Sequence, residues 1–246
     1  MSLHRIYARS PLVHCITNTV VTNFTANGLL AVGASPMMAE AAEEMVDIAR
    51  IADALLVNIG TLQPSIVHVM ELAIREAAKH DIPIVLDPVG AGASTYRYDT
   101  TMQLLQTGHV TLLRCNAGEL AAISGVVWHA KGVDSGEGDA NIACVAKEVA
   151  KQYDCVVVVT GATDIVTDGE KLVQVNGGNA RITKITGTGC LLSALCAAVL
   201  AVEHSVDVVA ALLHDYKEAA VKAAAPIGTY QVQLLNELER LAEVAR

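Results

Sequence analysis

The chain has 246 residues, enough for one large α/β unit with a sizeable core. Its formal net charge of −9, with no cluster of Lys and Arg, gives neither nucleic acid nor an anionic membrane surface an electrostatic footprint. Hydrophobic residues make up 52% and aromatics only 3%, so the core is built from Ala, Val, Leu and Ile, as in parallel sheets covered on both faces.

Mean hydropathy is +0.41, yet the longest apolar run, Cys190 to Val202, contains Ser193 and falls short of the ~18 residues of a membrane span. Met1 to Ile6 shows no apolar signal segment, so a cytoplasmic protein is expected. The six cysteines form no CxxC pair, which argues against a zinc site or a disulfide framework.

In chain order, Leu12 to Thr17 reads as a buried strand and Asn18 to Val32 as a helix, with Asn18 or Thr19 as its cap and Gly33 as its stop. Ala34 to Met38 is a short strand or a pocket-lining turn. Ala41 to Ile51 has helical periodicity, and Ala54 to Asn58 is a fully buried strand. A helix from about Pro64 to His80 precedes the strand Pro83 to Asp87. A glycine-rich segment from Val89 to Tyr98 leads into a helix ending near Gly108, followed by a strand from Val110 to Arg114 and a helix from Asn116 to Ser124. Gly132 to Gly138 reads as a loop, Asp139 to Tyr153 as a helix and Cys155 to Thr160 as a strand. Asp164 to Val175 is a hairpin turning at Asp168-Gly169. Ala194 to Ala225, divided near His204, and Tyr230 to Ala245 are helical. Strands alternating with helices imply right-handed crossovers and a mostly parallel sheet. No linker or internal repeat interrupts the pattern, so a single domain over residues 1–246 is expected.

In an open parallel sheet, ligands bind beyond the carboxyl ends of the strands. Asp87, Arg114 with Asn116 and Glu119, Thr160, and the turn leading into Cys190 all fall at such ends. Asp87 precedes Pro88-Val-Gly-Ala-Gly92 and suits a hydrated Mg2+; an Asx turn is the alternative. Asn116 with Glu119 has the spacing of a capping box, while Arg114 just before it offers a planar fork for phosphate oxygens. Thr160 can bond a phosphate or cap a turn. Gly187-Thr-Gly189, opening an apolar helical run, offers converging backbone N–H groups to an anion, although it matches neither the GxxxxGK[ST] loop nor GxGxxG. Cys190 is a poor base unless its thiol is acidified, and its alternative role is a small residue admitting a substrate close to the backbone.

Taken together, Asp87-Pro-Val-Gly-Ala-Gly, Arg114-Cys-Asn-Ala-Gly-Glu119, Thr160-Gly161 and Thr186-Gly-Thr-Gly-Cys190, in this order, resemble the ribokinase-like small-molecule kinases. Within that group the block from His14 to Met38 is similar to the hydroxyethylthiazole kinases, and the resemblance covers nearly the whole chain. It implies a ribokinase-like three-layer α/β/α fold with a mostly parallel central sheet. The implied reaction transfers the γ-phosphoryl group of ATP to the primary alcohol of 4-methyl-5-(2-hydroxyethyl)thiazole, in thiamine salvage. By the same resemblance Met38, Gly187 and Asn18 contact the thiazole, and Arg114, Thr160 and Gly189 contact ATP. Asp87 and Glu119 organise Mg2+, and Cys190 lies beside the acceptor hydroxyl. A homotrimer with active sites at subunit interfaces is also implied. The departures are Cys115, where glycine is common, and a somewhat short C-terminus. Three rival readings are a kinase of another vitamin precursor such as hydroxymethylpyrimidine, an ATP- or ADP-dependent dehydratase that repairs hydrated nicotinamide cofactors, and a catalytically silent ligand-binding protein, against which the intact set of Asp87, Glu119 and Arg114 speaks.

Overall fold

The protein is described by a computed structural model covering residues 2–125 and 136–244. Its centre is a sheet of eight strands in the order β2-β1-β3-β4-β5-β6-β7-β8. The first six are β1 (Leu12–Ile16), β2 (Ser35–Met37), β3 (Ala54–Asn58), β4 (Ile84–Asp87), β5 (Leu112–Asn116) and β6 (Val156–Thr160), and they pair in parallel. The hairpin β7 (Asp164–Thr167) and β8 (Leu172–Val175) closes one edge antiparallel.

Helices cover both faces. On one lie α1 (Ser2–Arg9), α2 (Thr22–Ala31), α8 (Thr188–Leu200), α9 (Val206–Lys222) and α10 (Ile227–Glu243). The other carries α3 (Met45–Ala49), α4 (Pro64–Lys79), α5 (Thr95–Thr107), α6 (Ala117–Ser124) and α7 (Gly136–Tyr153). Every residue of β3 and β4 is buried, which is why these strands read as unbroken apolar runs rather than alternating ones. Helix α8 is apolar all round because it is enclosed between the sheet and the outer helices.

Several element boundaries differ from the sequence expectation, each for a local reason. The helix expected over Asn18 to Val32 begins only at Thr22, and Asn18 does not cap it: its side chain turns inward to Asn58. Gly33 does end that helix, at φ +80°. The Ala41 to Ile51 segment splits into a 3-10 turn (Ala42–Glu44) and the short α3, because Glu44 bonds back to the amide of Ala41. Strand β5 is shifted two residues later than expected, and α8 reaches back to Thr188. The start of the loop expected over Gly132 to Gly138 lies outside the described residues, and positions 136–138 already belong to α7. Helix α1 carried no sequence signal. Its first turn is capped from the far end of the chain, where Asp215 Oδ2 accepts from the Ser2 amide, the Ser2 hydroxyl and the Leu3 amide at 2.9, 2.9 and 3.2 Å.

Candidate active site

Side-chain alternation places the functional groups. Leu56, Val85, Leu112 and Val158 all pack on the α8 side of the sheet. Asn58, Asp87, Arg114 and Thr160 each follow two residues later, at or near the carboxyl ends of β3, β4, β5 and β6, and so face α8 too. Asn58 and Asp87 are also direct neighbours in the β3–β4 register. The chain order reverses between β1 and β3, the position at which open α/β sheets form a binding crevice, and Asn18 and Asn58 stand there.

Asp87 is fully buried. Its Oδ2 accepts from Asn58 Nδ2 at 2.8 Å and from the Ser193 hydroxyl of α8 at 2.7 Å. Its Oδ1 has no hydrogen-bond partner and lies 3.8 Å from Arg114 Nη1. Burial pushes the carboxyl up to about 6, against the opposing pull of the Arg114 guanidinium and the two donors. Burial also opposes the charge on Arg114, but Asp87 and Glu119 more than offset it, so its pKa rises. Arg114 Nη2 donates to the Thr160 hydroxyl at 2.6 Å, while Nε is buried and unpartnered.

Glu119 fulfils the capping box, with Oε2 accepting from the Asn116 amide and Asn116 Oδ1 from the Glu119 amide, at 2.8 and 2.9 Å. Its other oxygen reaches across to the Gly90 amide at 2.8 Å, tying α6 to the loop that follows Asp87. Cap and site residue are therefore compatible readings of the same side chain. Among the described residues no group of three or more His, Cys, Asp or Glu could hold a metal. A Mg2+ that keeps its waters and leans on one or two carboxylates plus phosphates needs no such group; Asp87 Oδ1 has a lone pair without a partner to offer it, and is buried beside Arg114.

The two glycines of the turn face different partners. Gly187 has φ +90°, and a Cβ there would lie 2.6 Å from Val21 Cγ1, beside the Asn18 turn. At Gly189 an added Cβ would lie 2.7 Å from Arg114 Nη1. The first amide of α8 bonded back along the helix is that of Leu191, to Gly187 O at 2.8 Å, so the amides of Thr188, Gly189 and Cys190 are the orphan donors of a helix start. The turn is braced from behind by the Tyr216 hydroxyl, which donates to Thr188 O at 2.8 Å. Cys190 Sγ accepts from Asn18 Nδ2 at 3.4 Å. Burial raises its thiol pKa, and the nearby Asp87 charge adds to the rise, so the helix start does not produce a thiolate.

On the Gly189 side opens a cavity of about 710 Å3, lined among others by Arg114, Thr160, Thr188, Gly189, Tyr216 and Lys217. Its size suits a nucleotide. Lys217 escaped the sequence reading: it pairs with Asp164 and donates to Ala162 O and Gly177 O, all at 3.3 Å, joining the loop after β6 to the segment after β8. Asn58 and Ser193 were also missed, each a single polar residue inside an apolar element. Arg97 reaches three carbonyls, Ile59 O, Gly60 O and Val89 O, at 2.7–2.8 Å and so fixes the loops after β3 and β4. Met38 follows β2, half-buried against the α8-side core, on the Asn18 side of the sheet.

A model described as the hydroxyethylthiazole kinase family matches residues 3–244. A hydroxyethylthiazole kinase of Lysinibacillus sphaericus is 48% identical over 99% of this chain and 97% of its own length. A solved hydroxyethylthiazole kinase of Pyrococcus horikoshii superposes with a TM-score of 0.90 at 39% identity, covering 97% of this chain and 91% of that one. A ribokinase-like superfamily protein of Enterococcus faecalis, 12% identical, shares the fold with a TM-score of 0.69 over 95% and 88% of the two chains.

Proposed function

The chain belongs to the hydroxyethylthiazole kinase family, and on that premise we propose that it transfers the γ-phosphoryl group of ATP to the primary alcohol of 4-methyl-5-(2-hydroxyethyl)thiazole. The observation that carries the reading is the two-sided glycine turn, with Gly189 against Arg114 and a nucleotide-sized cavity, and Gly187 with Cys190 against the Asn18 side. Donor and acceptor then meet at the start of α8.

Phosphoryl transfer through a loose transition state asks the protein chiefly to align the two reactants and to stabilise charge on the transferred group. The orphan amides at the start of α8 and the guanidinium of Arg114 supply that stabilisation, and Thr160 holds Arg114 in place. Asp87 and Glu119 would hold Mg2+, which when bound would supply charge neutralisation at the phosphate oxygens. Met38 and Gly187 border the thiazole, and Cys190, a neutral thiol, lies beside its hydroxyl as a neighbour rather than a nucleophile. Because the alcohol need not be deprotonated early, its proton can pass to an oxygen of the transferred phosphoryl group as the new O–P bond forms, and no side-chain base is required there.

We read the 246 residues as one catalytic unit, since Asp87, Arg114 and Thr160 belong to strands of one continuous sheet and Asn18, Met38, Glu119 and the turn from Gly187 to Cys190 adjoin it; a cytoplasmic location belongs to the same proposal. No helix among the described residues is long and apolar enough to cross a membrane. A homotrimer with sites at subunit interfaces belongs to the same proposal. Exposed Val20, Val46 and Ile51, near the Asn18 turn and on and after α3, supply apolar surface for it, and light scattering of the purified protein measures the mass. The activity is tested by incubating the protein with Mg·ATP and either the thiazole alcohol or hydroxymethylpyrimidine. Phosphorylated thiazole is expected, and a clear preference for the pyrimidine overturns the reading.

A further inference from the structure

The polarity of the side chains between Asp87 and Cys190 is determined, and the residue that determines it has no role in the reading above. The Gly60 amide is a donor by chemistry, and it meets Asn58 Oδ1 at 2.9 Å. The other end of that carboxamide is then Nδ2, which faces the acceptor Asp87 Oδ2 at 2.8 Å. Asn58 Oδ1 takes a second bond, from Asn18 Nδ2 at 2.9 Å. Asn18 is thereby oriented as well. Its Nδ2 serves both Asn58 and, at 3.4 Å, Cys190 Sγ, so its Oδ1 points away from Asn58. That oxygen is not among the buried polar atoms lacking a partner, and no described donor reaches it, so it keeps some accessible surface and an acceptor without a protein partner. Gly60 presses the arrangement together: a Cβ there would lie 2.6 Å from Asn18 Nδ2.

We infer that Asn58 is a positioning residue for the acceptor alcohol, acting through a one-directional chain of two carboxamides that holds Asn18 with Oδ1 turned toward the substrate hydroxyl. The inference rests on the proposal that this hydroxyl lies beside Cys190. Direction matters to the chemistry. An oxygen acceptor engages the hydroxyl proton and leaves an oxygen lone pair free to approach phosphorus, whereas a reversed amide would occupy that lone pair. Cys190, already accepting from Asn18, keeps its S–H free to donate. Neither carboxamide takes or gives up a proton.

The test compares the thiazole alcohol with 4-methyl-5-ethylthiazole, which lacks only the hydroxyl, as substrate and competitive inhibitor of Asn58→Leu. The expected result is a rise of about tenfold in KM for the alcohol, with the inhibition constant of the ethyl compound within about twofold of wild type, both measured at saturating Mg·ATP because Asn58 also donates to Asp87. Equal weakening of alcohol and ethyl compound, or no change in either, overturns the inference, because a general loosening of the pocket touches both. Gly60→Ala displaces Asn18 without altering Asn58 and is expected to give the same split; it decides the matter if Asn58→Leu does not fold. If the wild-type protein phosphorylates no thiazole alcohol, the family-based activity fails, and calorimetric binding of the two thiazoles to wild type and both variants still reads the role of Asn58.

Discussion

The guanidinium of Arg114 lies directly over the backbone of Gly189, so close that one methyl group at position 189 would stand 2.7 Å from Nη1. Glycine is required there by proximity, not by its own dihedral angles, since Gly189 is absent from the positive-φ positions. Gly189→Ala is therefore expected to push Arg114 off Thr160 and to raise KM for ATP by about tenfold while leaving KM for the alcohol little changed. Arg114→Ala should lose at least ~1.5 kcal/mol in kcat/KM for ATP, the scale of one charge-assisted hydrogen bond. Steady-state kinetics on both variants checks the pair, and an unchanged kcat/KM in Arg114→Ala removes that residue from the site.

Cys190→Ser should retain substantial activity, because a thiol whose pKa is raised by burial contributes little as a base near neutral pH. The kcat–pH profile of the serine variant is expected to parallel that of wild type. Complete loss of turnover in a folded Ser variant would show that the thiol itself is chemically required.

Asp87→Asn removes the carboxylate whose Oδ1 is free, while leaving an acceptor for Asn58 and Ser193. Activity at a fixed Mg2+ concentration should drop by on the order of a hundredfold, and the Mg2+ concentration giving half-maximal rate should rise. Glu119→Gln should do the same more mildly, since both Glu119 oxygens are already bonded to backbone amides. A Mg2+ titration of rate for the three proteins reads out the order.

His14 gives a prediction about stability. It is buried, and because Ala39 O can only accept, its Nε2 must carry the proton donated at 2.9 Å. Burial lowers its pKa below the ordinary 6.5. The unfolded chain then binds the extra proton first as pH falls, so the His14 contribution is present above pH 6.5 and is lost below it. Asp87 has the opposite sign: its carboxyl is raised from 3.8 to about 6, so its contribution is lost as pH rises through that interval. Comparing urea midpoints of wild type and His14→Gln cancels the Asp87 part. The wild type should lose stability more steeply between about pH 7 and pH 5.

How far these features were visible in the chain depends on how local their causes are. The buried strands β3 and β4 were legible because their burial on both faces is written in consecutive residues, and Asp87 stood out as the first charge after such a run. The start of α2 was not, because Asn18 has the chemistry of a cap and only the distant Asn58 decides that its amide turns inward. Asn116 and Glu119 show the reverse case. Their local capping role was readable, and the contact of Glu119 with Gly90 that links it to the site was not. Lys217 and Ser193 had no local signature, since each serves segments far away in sequence.

The cap of α1 bears on how the protein is made. A helix of eight residues is marginal by itself in water, and the carboxylate that satisfies its first amides, Asp215, is more than two hundred positions downstream. During vectorial synthesis this segment must therefore wait for more than two hundred further residues before its partner exists. The apolar Leu3 and Ile6, fully covered in the finished fold, stay uncovered through that interval and present a binding stretch to the chaperones that attend nascent chains.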